Sequence, residues 1–153
     1  MTSLTEEQQE RLDIIIHKLK FTEQKPTLAI IKTLDPIILA DDEMIDLVTM
    51  AGGTLIEGDV QTLLTLDPEV IILMPDDMPV AETMAGMDTL LQLPGFTDLK
   101  AVKNNRLYIV DSGMLVDDSA ENMVETIELL AEIIYPKQFI FGHEGNGWIK
   151  FSI

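Results

Sequence analysis

The chain has 153 residues, the size of one ordinary domain, and 46% of them are apolar, so a single packed core is expected over residues 1–153. Its 27 acidic and 10 basic side chains leave a formal charge of −17, a field that repels phosphate backbones and anionic headgroups and excludes nucleic acid as an expected partner. The lack of cysteine removes disulfides, thiolate metal sites and thiol nucleophiles together, and no apolar run approaches the length needed for membrane insertion.

Ser3-Leu4-Thr5-Glu6 has the spacing of a capping box, and Leu12, Ile15, Ile16 and Leu19 recur at helical intervals, which predicts a helix over 4–20 within an N-terminal segment 1–20. Ile14 widens the stripe, so this helix is expected to lie on something large and flat. His17 reads as an ordinary boundary or surface side chain, because no second histidine stands at ligand spacing. The same segment is rich in acids and amides where a secretory signal needs a positive region and then an apolar run. A cytoplasmic location is the expectation, unless an export signal has been removed.

Continuous apolar character predicts a buried strand from Thr27 to about Thr33, broken by Leu34-Asp35-Pro36. Asp41-Asp42-Glu43 opens a helix through Met44, Leu47, Val48 and Ala51 that Gly52-Gly53 closes. Asp59 caps a short helix ending near Leu66; Asp67-Pro68 then introduces a second strand, 69–74, which stops at Pro75-Asp76-Asp77. A helix is predicted over 79–91 with Gly86 as its weak point, followed by a turn at Pro94-Gly95-Phe96, a short helix over 99–102 and a third strand over 106–110. The last helix covers 119–134, with Met123, Ile127, Leu130, Ala131 and Ile134 as its buried stripe.

Residues 137–153 form an aromatic, Gly-rich extension. Segments 138–141 and 148–151 flank Gly142-His143-Glu144-Gly145-Asn146-Gly147 and read as a long-looped hairpin or a pair of edge strands. Phe139, Phe141, Trp148 and Phe151 would make a large apolar patch if left in water, so they are expected on the sheet edge or at an interface with a neighbouring subunit. Three apolar strands separated by helices long enough for crossovers define the class: α/β, three-layer, a mostly parallel sheet with helices on both faces.

In such a sheet, ligands sit beyond the C-terminal strand ends. Those ends carry Thr33 and Asp35, Asp76 and Asp77, and Asp111 and Ser112, with Asp117 and Asp118 close by; these form the candidate ligand-binding set. Converging carboxylates offer oxygen ligands to magnesium or calcium, and a cation-dependent small-molecule enzyme is the alternative they support. The competing reading is that aspartates cap helices and satisfy turn donors. No catalytic residue, cofactor or metal is assigned. Residues 33–40 lack the glycine that would let a pyrophosphate approach a helix, and Gly52-Gly53 stands at the wrong end of its helix, as a C-cap does. No G-x-S-x-G, H-E-x-x-H or Walker sequence occurs; His143-Glu144 lacks the downstream histidine, and Met74, Met78, Met84 and Met87 read as flexible core filler.

The run KPTLAIIKTLDPIILADDEMIDLVTMAGG, then TLLTLDPEVIILM, then PGFTDLKAVKNNRLYIVDSGMLVDDSAENMVETIELLAEIIYP resembles the C-terminal lobe of helical-backbone (type III) substrate-binding proteins, which deliver cobalamin, siderophores or haem to ABC import transporters. The resemblance covers about Lys25 to Phe139 and does not include the N-terminal lobe. It implies a non-catalytic binding module, with a metal chelate or corrinoid as ligand, or else a protein-interaction module. Because members enclose ligand between two lobes, it also implies a homodimer or association with another chain. The chain departs from that pattern at Leu34, where an aromatic residue usually precedes Asp-Pro, and in its aromatic tail.

Overall fold

A computed structural model gives the structure of the chain at residues 5–20, 26–34, 37–39, 42–75, 80–110, 120–142 and 148–151. Three parallel strands form the centre: β1 (Thr27–Leu34), β4 (Val70–Leu73) and β5 (Leu107–Val110). Ile31 is in register with Leu73, and Leu73 with Ile109. Two short strands absent from the sequence reading share the outer edge of β1. β3 (Thr54–Leu55) lies parallel beside its start, and β2 (Ile37–Leu39) runs antiparallel beside its end. At the other edge, β6 (Trp148–Phe151) pairs antiparallel with β5, giving the order β2-β1-β4-β5-β6.

The even-numbered side chains Leu28, Ile30, Val70 and Ile72 face one core, together with α1 (Glu6–Leu19), α2 (Asp42–Met50) and α7 (Ala120–Ile134). The odd-numbered Ala29, Ile31, Ile71 and Leu73 face the other, under α3 (Val60–Leu66), α5 (Met87–Leu91) and α6 (Lys100–Lys103). This alternation is the period of two of an extended strand, and covering both faces is why β1 and β4 read as unbroken apolar runs. The connection through α2 leads outward from β1 to β3, and the one through α3 leads back across β1 to β4. Crossovers of one hand must then place their helices on opposite faces, as they do.

Several boundaries differ from the sequence reading. The capping box is Thr5–Gln8 instead of Ser3–Glu6: the Thr5 hydroxyl accepts from Gln8 N at 3.1 Å and the Gln8 side chain accepts from Thr5 N at 2.9 Å. Starting there puts Glu6 and Glu7 in the first turn, where the helix dipole favours acids. α1 lies against α7, not on a flat surface; it buries Leu12 and Ile15 while Ile14 and Ile16 stay 49% and 41% exposed. The predicted helix over 79–91 splits at Gly86 into α4 (Val80–Ala85) and α5, the residue with the least helical preference at the junction. Segment 138–141 is not a strand: Phe139 N donates to Tyr135 O at 3.1 Å and Phe141 N to the Glu132 carboxylate, so these donors never enter a ladder.

α2 ends as its glycines predict. Gly52 N donates to Thr49 O and Gly53 N to Val48 O, the paired bonds of a Schellman motif, with Gly52 at φ +92°. A Cβ at Gly52 would stand 2.7 Å from the Tyr135 ring and 2.8 Å from Leu19, and the Tyr135 hydroxyl donates to Gly52 O at 2.8 Å. Gly52→Ala is therefore expected to cost about 2 kcal/mol, from the left-handed backbone and the crowding together. A urea midpoint equal to that of the parent chain would show that the loop relaxes freely.

Candidate functional site: the C-terminal rim of the sheet

Because β1, β4 and β5 are neighbours and parallel, their C-terminal ends open on one rim, with adjacent strands about 4.8 Å apart. Read across the sheet, the parallel strands run β3-β1-β4-β5. The chain turns one way after β1 and the other way after β3, so the topological switch lies between β1 and β4. A crevice at such a reversal is the usual ligand position in an open α/β sheet, since the loops leaving the two strands diverge there. Met74 N donates to Ile31 O at 2.9 Å, which carries the pairing of β4 with β1 to the lip of this crevice.

β1 does not stop near Thr33. Its register shifts between Ile31 and Thr33, after which Thr33 pairs with Ile38 and Leu34 with Ile37. Leu34 therefore belongs to β1 and pairs with β2, one residue past the predicted break, and the register shift is a bulge that bends this edge. Of the candidate set, Thr33 stands in β1 opposite Ile38. Asp35, Asp76, Asp77, Asp111 and Ser112 lie outside the described residues, as do Asp117, Asp118, Met78 and His143. In sequence, Asp35 follows β1, Asp76 and Asp77 follow β4, and Asp111 follows β5.

Two apolar side chains that the sequence did not single out are exposed on the elements that follow β1 and β4 in the chain. Ile38 in β2 is 50% exposed and Met84 in α4, the helix that follows the β4 loop, is 45% exposed. Met74 and Met87 are buried filler as expected, whereas Met84 is not. The signal that separates them is helical phase: Met87 aligns with Leu90 on the buried face of α5, and Met84 precedes the break at Gly86. Among the described residues no group of three or more His, Asp or Glu is placed to hold a metal ion, and no helix is long and apolar enough to cross a membrane.

The aromatic extension is used within the chain. Phe139 and Trp148 are 1% and 4% exposed, with Phe141 and Phe151 half-buried. Trp148 meets Tyr108 edge-on at 5.3 Å, and Phe139 stacks on Phe141 at 5.8 Å. Its indole N–H donates to Glu132 Oε1 at 3.0 Å. Trp148 occupies the sheet edge in β6, whereas Phe139 is buried at the turn after α7, beside Tyr135 and Lys18.

No family model and no curated protein matches this sequence. Solved structures do. The chain is similar to an ABC transporter substrate-binding protein from Listeria monocytogenes EGD-e, at 20% identity and a TM-score of 0.73 over 86% of this chain and 55% of that one. It is similar to S. aureus IsdE complexed with heme, at 21% identity and TM-score 0.69 over 83% and 54% of the two chains. A periplasmic heme binding protein from Pseudomonas aeruginosa matches at 19% identity and TM-score 0.65, over 85% and 50%. The chain spans about half the length of each. With its parallel sheet, its reversal at β1 and its helices on both faces, this chain has the fold of one lobe of the helical-backbone substrate-binding proteins.

Proposed function

We propose that the chain is a non-catalytic binding module whose C-terminal rim forms one wall of a site for a metal chelate or corrinoid, the other wall coming from a second lobe or chain. The observation that carries this reading is the switch between β1 and β4, with exposed apolar side chains at Ile38 of β2 and Met84 of α4, the elements that follow β1 and β4 in the chain. The rim thus combines apolar contact area with the divergent loop ends that bind ligands in open sheets. Two of the similar structures support the ligand class, one being complexed with heme and one named for heme binding. A flat rim encloses little of a macrocycle, so affinity on this reading requires a partner surface. We take the partner to be a second copy or another chain, and within it the sequence order of the motifs favours the C-terminal lobe as the part present here. Ile14 and Ile16 of α1, with the exposed Ile140 and the half-buried Phe141 and Phe151 of the aromatic extension, offer apolar surface for such a contact. The cytoplasmic expectation gains no support from neighbours named as periplasmic.

Titration with hemin, cyanocobalamin and a ferric hydroxamate, followed by melting temperature and calorimetry, tests the reading. One of the three is expected to raise the melting temperature saturably, with light scattering of the same sample reporting a species larger than one chain. Three flat titrations on a protein that stays monomeric at micromolar concentration would remove it.

A further inference from the structure

We propose that the opposite, N-terminal rim of the sheet carries a separate site for a small carboxylate that bears a neighbouring hydroxyl group. A cleft of about 390 Å³ opens there, lined by Pro26, Glu69, Lys100, Asn104 and Arg106. Pro26, Glu69 and Arg106 stand immediately before β1, β4 and β5, so three adjacent strands set its floor. Glu69 N donates to Thr27 O at 3.0 Å, Ile71 N to Arg106 O at 3.1 Å and Arg106 N to Ala101 O at 2.7 Å. Lys100, at the start of α6, is tied by its N–H to Asp67 Oδ1 at 2.8 Å. The backbone around the cleft is therefore fixed by bonds that do not depend on any ligand.

The local charge opposes that of the molecule. Lys100, Lys103 and Arg106 are three of the ten basic residues, set within seven positions without an acid between them, in a chain of net charge −17. Arg106 is held in place: Nε donates to the Tyr108 hydroxyl at 2.8 Å, and Nη2 to the carbonyls of Ile133 and Ile134 at 2.9 and 3.1 Å, with the guanidinium 5.7 Å from the Tyr108 ring centroid. Capping α7 and bonding Tyr108 account for Nε and Nη2. Nη1 has no hydrogen-bond partner among the described residues, and its two N–H donors are left on a guanidinium whose freedom is already spent.

A carboxylate suits Nη1 together with the Lys100 ammonium, a charge-assisted pair of donors of which one is rigid and one adjustable. Glu69 is an exposed carboxylate on the same wall, and it repels a bare anion. It is satisfied by a ligand that also donates, and a hydroxyl beside the carboxylate supplies that proton; the Asn104 amide serves either group. The combination selects a hydroxycarboxylate over an unsubstituted acid or a polyanion.

Malate and succinate differ only in that hydroxyl. Titrated into the 15N-labelled chain at constant ionic strength, malate is expected to give saturable shifts at the Lys100, Asn104 and Arg106 amides. Succinate should bind about fivefold more weakly, Lys100→Ala should weaken malate about tenfold, and Glu69→Ala, which removes the acceptor, should erase the difference between the acids. Lys100 and Glu69 are exposed, so both variants keep the fold, which the remainder of each spectrum verifies. Shifts that sodium chloride reproduces, the absence of saturation, or variants that bind like the parent would each overturn the assignment. The outcome is independent of any ligand at the other rim.

Discussion

Glu132→Ala is expected to lower the unfolding free energy by about 3 kcal/mol, as the largest effect of a single polar deletion in the chain. Glu132 is 4% exposed on α7, and its two oxygens accept from the Trp148 indole N–H and the Phe141 backbone N–H. Both donors belong to the aromatic extension, so one carboxylate fastens the turn after α7 and β6 to the same helix. Alanine leaves those two donors without this acceptor and leaves a void beside the rings of Phe139, Phe141 and Trp148. Glutamine keeps the volume but points an amide N–H₂ at one of the two donors, and should recover only part of the loss. Trp148 is the sole tryptophan, so its emission during urea unfolding reports the site directly. An unchanged midpoint for Glu132→Ala would mean that the extension is held by its rings alone.

Arg11→Ala is the second large effect, expected at about 2 kcal/mol. Arg11 binds Glu128 through Nε at 3.1 Å and Nη2 at 2.6 Å, and Glu121 through Nη1 at 2.8 Å, so one guanidinium docks α1 on α7. The Glu128 side chain is only 7% exposed, and removing the cation beside a buried carboxylate costs more than the pair itself contributes. The Arg11 side chain is 22% exposed, which tempers the figure. The double variant Arg11→Met with Glu128→Leu should recover most of the loss, because an apolar pair of similar volume carries no desolvation cost. A double variant as unstable as Arg11→Ala alone would show that packing, and not charge, sets the effect.

The same cluster fixes a pH response. Hydrogen bonding to Arg11, and then to Gln8, holds the Glu121 carboxyl below its ordinary value. A carboxylate depressed in the folded state stabilises fully above its unfolded pKa, and that contribution is lost as pH falls through the folded value. Without Arg11 the stability curve should flatten on its acid limb. Glu128 raises the Arg11 pKa still further above its already high ordinary value, so the guanidinium stays charged throughout.

The central strands were legible because both their faces are buried: Leu28–Ile31 and Val70–Leu73 are continuous apolar runs, and no other placement satisfies such a run in water. The helices followed from period and from caps, with Asp59 accepting from Thr62 N and Gly52 in the left-handed region as their residue types imply. These are local signals, decided within one turn of chain. The short strands β2 and β3 were not legible, since three and two residues carry no period and exist only because β1 offers them an edge. The same holds for the Glu132 anchor. Nothing in the sequence distinguishes it from the half-buried Glu125 of the same helix until Phe141 and Trp148, nine and sixteen residues away, bring their N–H groups to it. Local periodicity therefore dictated which segments are strands and helices and which of their faces are apolar. The order of strands across the sheet, the reversal at β1, and the meeting of Glu69, Lys100 and Arg106 in one cleft arise from pairings between residues far apart in the chain, and such pairings exist only once the sheet has closed.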